Sequence, residues 1–80
     1  MFSVYVLRSL KDQRFYIGQT NNLEERIRRH NEGRVPSTKG RRPLILVWSE
    51  SLDSRSKAVV RERELKNLKA NKKFRVLIQV

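Results

Sequence analysis

The chain contains no cysteine and only one histidine among its 80 residues. Without cysteine, neither a disulfide framework nor a thiolate metal site can form. A single histidine likewise excludes the zinc sites that depend on several imidazole ligands. The absence of cysteine is also compatible with the reducing conditions of the cytoplasm.

Long apolar stretches are missing as well. No segment approaches the ~20 apolar residues that a membrane-spanning helix requires. The segment Met1–Leu7 lacks the basic start and the length of a secretory signal. We therefore expect a cytoplasmic protein with no membrane partner, whose residues 1–80 form a single domain with a modest core.

Acidic and aromatic residues are scarce beside the basic ones. Asp and Glu number 8 against 19 Lys and Arg, which leaves a net charge of +11. A charge of that size favours polyanionic partners, while an aromatic content of 8% is too low for a large base-stacking platform. Composition therefore indicates nucleic acid, without separating a nuclease from a ribosomal protein or an architectural binder.

The apolar periodicity, the caps and the chain breaks predict elements in the order β-β-α-β-α-α. This order is typical of an α+β domain, a small sheet packed by helices. The first two strands are joined by a short polar turn and should form a hairpin. The predicted strands are Ser3–Ser9, Phe15–Gly18 and Leu44–Ser49. The first predicted helix runs from a cap at Thr20, Asn21 or Asn22 to Gly33, and the second covers about Ser56–Lys69 after a cap at Asp53 or Ser54. The third begins after a cap at Asn71 and has Phe74, Leu77 and Ile78 on its apolar face.

The first predicted helix places two polar side chains beside its apolar stripe. With about 100° between successive residues, Arg26 and His30 fall within about 60° of Leu23 and one turn from each other. A cation at the edge of an apolar face needs a partner or a function. The purely structural alternatives are an Arg26 stem that lies along the core with its head in water, and a core His30 satisfied by a backbone carbonyl.

The second predicted helix carries two carboxylates with different surroundings. Counted from Ala58 at the same spacing, Glu62 lies at about 40°, among apolar positions, and Glu64 lies about 120° away. An inward carboxylate should be paired or should hold a cation. The alternatives for Glu62 are therefore a metal ligand or an internal salt bridge, with Arg26 as a candidate partner, whereas Glu64 is expected to be a solvated surface charge.

Two tyrosines, Tyr5 and Tyr16, lie on the strands of the predicted hairpin and can face the same side of the sheet. Each alone is compatible with an ordinary packed position. Together with Arg26, His30 and Glu62, they make a set of phenols, cation, imidazole and carboxylate from adjacent elements. Phosphodiester cleavage needs a general base near a water, a cation facing the developing charge, and usually a metal. This set could supply all three.

The basic residues that follow the first helix are candidates for contacts with phosphate groups. Such contacts position a nucleic acid without reading its sequence. The alternative is an ordinary solvated loop and helix surface. The candidates are Lys39, Arg41 and Arg42 in the loop 34–43 and Lys66 on the second predicted helix.

The order of these residues resembles that of the GIY-YIG nucleases, in particular the small stand-alone bacterial type. It is also similar to the N-terminal nuclease domain of the bacterial excision-repair incision subunit. The individual motifs are short, but their joint order and spacing are specific and extend over nearly the whole chain. The matching segments are Ser3-Val4-Tyr5, Tyr16-Ile17-Gly18, the run from Asn22 to Gly33 with Arg26, His30 and Asn31, then Thr38, Arg42-Pro43, Glu50, and Ala58 with Glu62 and Lys66.

The resemblance implies a three-stranded antiparallel sheet flanked by helices, and one divalent metal, Mg²⁺ or Mn²⁺, bound by Glu62. It implies that Arg26 stabilises charge on the phosphate and that His30 assists a tyrosine or the phosphate. Tyr5 and Tyr16 would lie by the scissile group. The resemblance leaves open which tyrosine, or a metal-bound water, is the base. A phenol with its ordinary pKa of about 10 would need nearby positive charge for that role.

Two positions depart from the family pattern. Ser3 stands where the first motif has glycine. No asparagine follows the glutamate helix at the spacing of some family members, and Asn71 is the nearest candidate. The missing asparagine bears on metal affinity and activity.

We expect a divalent-metal-dependent endonuclease acting on DNA, either selective for branched or damaged structures, as in DNA repair, or low in sequence specificity. Selectivity would come from DNA shape or from a protein partner. The alternatives are a non-catalytic nucleic-acid-binding module on the same fold and a small basic RNA-associated protein. The inward Glu62 favours the nuclease, because a buried anion weakens binding to a polyanion unless a metal neutralises it.

Overall fold

Three strands and three α-helices follow one another in the predicted order in the computed structural model, which describes residues 1–78. A single turn of 3-10 helix over Lys39–Arg41 interrupts the basic loop. None of the described helices has both the length and the apolar character needed to cross a membrane. The elements are β1 (Phe2–Ser9), β2 (Phe15–Thr20), α1 (Leu23–Asn31), β3 (Leu44–Leu52), α2 (Arg55–Leu68) and α3 (Lys72–Ile78).

Two strands run further than their sequence patterns predict. β2 continues past Gly18 to Thr20, and β3 continues past Ser49 to Leu52. Both extensions pair with β1, which offers a partner along its whole length. A local pattern of apolar residues does not record the length of a partner strand, so the predicted ends at Gly18 and Ser49 come too early.

β1 is the central strand of an antiparallel sheet with the order β2-β1-β3. The three-stranded antiparallel sheet that the resemblance implied is thus confirmed. Because side chains alternate between the faces of a strand, Val4 and Val6 face α2 and α3, while Tyr5 and Leu7 face α1. All four side chains are fully buried, so β1 is covered by helices on both faces.

The two faces of the sheet carry apolar clusters of unequal size. The larger cluster packs β1 and β2 against α2 and α3, with Phe15 and Phe74 meeting edge to face at a centroid distance of 5.3 Å. Each fully buried aliphatic side chain of this kind contributes about 1.5–3 kcal/mol. The smaller cluster, between β1 and α1, consists of Tyr5, Leu7 and Leu44 with Tyr16, Leu23 and Ile27 packed against them.

Polar side chains close the helix ends and settle the predicted caps. Asn22 accepts from the backbone N–H of Glu25, and its amide donates to the Glu25 carboxylate, so it caps α1. Ser54 caps α2 by accepting from the N–H of Lys57. Gly33 has a φ of 78° just beyond α1, which agrees with the predicted turn at the end of that helix.

Gly18 lies directly opposite Tyr5 in the pairing of β1 with β2, and the phenol ring covers it. A Cβ atom on Gly18 would stand 2.5 Å from Tyr5 Oη and 2.6 Å from Cζ, closer than real Cβ contacts come. The glycine of the Tyr16-Ile17-Gly18 motif is therefore required by the space that the phenol occupies.

Replacing Gly18 by alanine should displace the Tyr5 ring and lower the free energy of unfolding by about 1–3 kcal/mol, the usual cost of overpacking a core. Gly40→Ala is the matched control, because a Cβ there meets nothing within 4 Å. Urea unfolding of both variants measures the difference. Equal stability of the two variants would contradict the tight fit of the phenol.

Candidate active site

The phenol oxygen of Tyr5 links α1 to the sheet from a fully buried position. Arg26 Nε–H donates to Tyr5 Oη over 3.3 Å, and Tyr5 Oη lies 2.9 Å from His30 Nε2. Both partners come from the same face of α1, one turn apart, as the helical spacing predicts. A single oxygen atom thus holds the two polar residues beside the apolar stripe of α1.

His30 is fully buried and lies between two hydroxyl groups. Its Nε2 faces Tyr5, and its Nδ1 lies 2.7 Å from Oγ1 of Thr38, a buried residue of the basic loop. Thr38 Oγ1 in turn lies 3.4 Å from the carbonyl oxygen of Val35. The alternative in which a backbone carbonyl satisfies a core His30 is therefore wrong. The sequence motifs included Thr38 but did not indicate this contact.

The two tyrosines lie on the same face of the sheet, with ring centroids 6.4 Å apart. The Tyr16 ring also meets His30 edge to face at 4.9 Å. They differ in exposure, since Tyr5 is fully buried and Tyr16, on the outer strand β2, is half-buried. Of the two phenols, only that of Tyr16 is within reach of solvent.

Burial and nearby arginine cations set the protonation states of Tyr5 and His30. Burial raises the pKa of Tyr5 above its ordinary value, so the phenol keeps its proton at neutral pH. Burial, and after it the charges of Arg26 and Arg29, lower the pKa of His30 to about 4. The hydrogen bond to Tyr5 raises the pKa of Arg26. At neutral pH the Arg26 guanidinium is therefore charged, while the buried Tyr5 and His30 are neutral.

Glu62 occupies the inner side of α2, with 20% of its side chain exposed, against 55% for Glu64. The difference agrees with the helical spacing. The Glu62 carboxylate pairs with Lys66 Nζ at 2.7 Å, so the salt bridge is made with Lys66 and not with the candidate partner Arg26. Glu62 also contributes to the raised pKa of Tyr5. The carboxylate on α2 is therefore within electrostatic reach of the cluster under α1.

Gln19 lies beside Glu62 and was missed by the sequence reasoning. The two residues line one cleft together with Val59, Arg63 and Lys66. Gln19 Oε1 is buried and has no hydrogen-bond partner among residues 1–78. A buried acceptor without a partner is rare and calls for a ligand, water or ion. Its position directly after Gly18 in the second motif was the available signal.

The predicted phosphate-binding residues differ in how far their side chains are already engaged. Lys39 and Arg42 are exposed. Arg41 is held by the Asp12 carboxylate at 3.2 Å and also donates to the carbonyl of Phe15. Its guanidinium therefore fastens the basic loop to the β1–β2 turn.

Asn71, the nearest candidate for the family's asparagine, lies at the start of α3. Its Oδ1 accepts from the backbone N–H of Lys73. This is the helix-capping role that the sequence also predicted for it.

The GIY-YIG catalytic domain family matches residues 1–75 of the chain. This match covers both tyrosine motifs, α1, β3 and α2. The chain belongs to the GIY-YIG family of nuclease domains. The family membership that the motifs suggested is thus confirmed.

Relatives of this GIY-YIG domain share its small size. It is 40% identical over 75 residues to a UPF0213 protein of Staphylococcus haemolyticus, covering 92% of this chain and 90% of the relative. A UPF0213 protein of Natronomonas pharaonis is 44% identical, with 92% and 87% covered. The solution NMR structure of a UPF0213 protein from Bacillus halodurans superposes with a TM-score of 0.58 at 34% identity, over 96% of this chain and 83% of that one.

The buried, neutral His30 should make the stability of the domain depend on pH. In the unfolded chain the imidazole has its ordinary pKa of about 6.5, whereas in the folded chain the pKa is about 4. Between these values the unfolded chain binds more protons, so the free energy of unfolding should rise with pH. We expect a loss of roughly 2 kcal/mol between pH 6.5 and pH 4.5.

Urea unfolding at these two pH values measures the effect. His30→Gln is the control, because glutamine has no proton to gain. The fall in stability should be much smaller in the variant. An equal fall in both proteins would assign the pH dependence to other groups.

Proposed function

We propose that this GIY-YIG domain hydrolyses DNA phosphodiesters as a divalent-metal-dependent endonuclease, either structure-selective or low in sequence specificity. The observation that carries the proposal is the arrangement around Tyr5. Arg26 binds its phenol oxygen, Tyr16 packs beside it, and Glu62 lies within electrostatic reach of it. A cation, an accessible phenol and a carboxylate from three elements thus meet around one buried group.

Arg26 is the residue placed to stabilise negative charge on the phosphate. Its guanidinium has five N–H donors, and the bond from Nε–H to Tyr5 leaves the paired terminal nitrogens for phosphate oxygens. Arg26 and Arg29 both line a polar cleft at the start of α1. A preorganised cation at the developing charge of a transition state is among the largest contributions to catalysis.

Tyr16 is the phenol placed to accept a proton from the attacking water. Tyr5 is fully buried, so in this arrangement it cannot touch the substrate and acts as a positioning residue for Arg26. The Arg26 guanidinium lies close enough to Tyr16 for the phenol to contribute to its raised pKa. Tyr16 therefore lies beside the cation that would face the phosphate.

The donors around Glu62 fit a hard divalent cation. Mg²⁺ takes oxygen ligands, uses one or two carboxylates, and keeps several waters. Among residues 1–78, no three histidine or acidic side chains converge on one point. Glu62 and the unpartnered Oε1 of Gln19 would hold Mg²⁺ or Mn²⁺ in their shared cleft. When bound, the ion would act as a Lewis acid toward the phosphate.

Lys66 occupies the Glu62 carboxylate in the described arrangement. Its ammonium lies 2.7 Å from Glu62 Oε2, while its side chain is 55% exposed. An exposed lysine gives up such a pair at little cost. Lys66 can therefore turn from the carboxylate toward a nucleic-acid phosphate, the contact that its place in the sequence suggests.

Cleavage of DNA by the Glu62→Gln and Glu64→Gln variants tests the function. Supercoiled, linear and branched DNA with Mg²⁺ or Mn²⁺ should be cut by the wild type and by Glu64→Gln. The Glu62→Gln variant should lose at least about 100-fold in rate, because it removes the charged donor of the metal site.

Equal cutting by wild type and Glu62→Gln would indicate a contaminating nuclease and refute the proposal. Salt-dependent binding without cutting would favour the non-catalytic module instead.

Binding of Mn²⁺, followed by the loss of the free-ion EPR signal, tests the metal site without requiring activity. We expect Gln19→Ala to weaken Mn²⁺ binding by about tenfold, or ~1.4 kcal/mol, and Glu62→Gln to weaken it further. Glu64→Gln should bind as the wild type does. Unchanged binding by Gln19→Ala would exclude Gln19 as a donor.

A further inference from the structure

We propose that Thr38 is a positioning residue, whose hydroxyl holds His30 in the Nδ1–H tautomer and thereby directs a lone pair of Tyr5 toward Arg26. The geometry of five groups joined by four hydrogen bonds carries this inference. Its consequence for catalysis rests on the proposed nuclease function, but the tautomer itself does not.

The hydrogens of this network can be assigned from its two ends. At one end, the carbonyl oxygen of Val35 can only accept, so the Thr38 hydroxyl, 3.4 Å away, donates to it. Thr38 Oγ1 then accepts from His30 Nδ1–H across 2.7 Å. At the other end, Arg26 Nε can only donate, so Tyr5 Oη accepts from it across 3.3 Å.

The assignments at these two ends determine where the hydrogens of His30 and Tyr5 lie. With its proton on Nδ1, the neutral His30 ring presents a lone pair at Nε2. Tyr5 O–H donates to that lone pair across 2.9 Å. Each of these four hydrogen bonds then has one donor and one acceptor. Donation runs in a single direction, from Arg26 through Tyr5, His30 and Thr38 to the carbonyl of Val35.

The opposite tautomer leaves the proton of the Tyr5 hydroxyl unsatisfied. If Nε2 carried the proton, both His30 and Arg26 would donate to Tyr5 Oη. The proton of the Tyr5 hydroxyl would then have no acceptor among residues 1–78, and the Val35 carbonyl would lose the hydroxyl of Thr38. The Val35 carbonyl still accepts from the backbone N–H of Thr38. Tyr5, by contrast, is fully buried, so water cannot accept its proton, and leaving that proton without an acceptor costs free energy.

The loop is built to hold Thr38 in this place. The backbone N–H of Thr38 donates to the Val35 carbonyl at 3.1 Å, and the Thr38 carbonyl accepts from the N–H of Arg41 at 2.9 Å. The turn at Gly33, with its positive φ, reverses the chain after α1. As a result, Thr38 returns over His30, which lies in the last turn of α1.

Because His30 is the single histidine of the chain, its ring gives an unambiguous NMR signal. Long-range ¹H–¹⁵N correlation at neutral pH reports which ring nitrogen carries the proton. We expect Nδ1 to be protonated in the wild type and in Thr38→Ser, which keeps the hydroxyl. In Thr38→Val, which removes it at similar volume, the protonated fraction at Nδ1 should fall.

Cleavage kinetics provide the second measurement. Thr38→Val should lower kcat about tenfold, the effect of misdirecting one hydrogen bond to a charged group, and Thr38→Ser should recover most of it. Ser37→Ala, which removes an exposed hydroxyl of the same loop, is the control and should change neither readout.

A wild-type ring protonated at Nε2 would overturn the proposal, whether or not Thr38→Val folds. An unchanged tautomer in a folded Thr38→Val would also overturn it. If no protein cleaves DNA but the tautomer shifts as expected, the positioning role of Thr38 stands and the nuclease function fails.

Discussion

The buried phenol oxygen of Tyr5 is the constraint on which the candidate site depends. A hydroxyl cut off from water must keep its hydrogen bonds, and both partners of this one come from the same helix. Gly18 supplies the space for the ring, since any side chain there would occupy it. The direction of the Arg26 guanidinium therefore depends on satisfying one oxygen atom.

Because β1 is the central strand, one of its faces packs against the apolar core and the other carries the candidate site. Its Val4 and Val6 face an apolar layer made by α2 and α3, which contributes most of the burial. Its other face, under α1, carries Tyr5 and the buried polar network. Glu62 connects the two sides, because it comes from α2 yet influences the pKa of Tyr5. The polar face is thus supported by an apolar core that takes no part in its hydrogen bonds.

Helical spacing and motif order predicted much of this arrangement. The order of the elements, the cap candidates Asn22 and Ser54, and the inner position of Glu62 agree with the structure because they depend on residues within one or two turns. Arg26 was only a candidate partner for Glu62 in the salt-bridge alternative, and the carboxylate pairs instead with Lys66, which lies one turn away on the same helix. Gln19 was missed although it directly follows Gly18 in the second motif, because an acceptor without a partner is recognised only from the atoms that surround it.

The sequence by itself determined which residues face inward, because the periods of helix and strand are local properties of the backbone. It also determined the family, since the joint order of the motifs extends over residues 1–75. Only the tertiary structure decided that Tyr5 is fully buried while Tyr16 is partly exposed. It also decided that Thr38, from a loop, forms the hydrogen bond to His30. Burial and hydrogen-bond direction depend on atoms that are distant in sequence and meet only when the sheet, α1 and the basic loop are assembled.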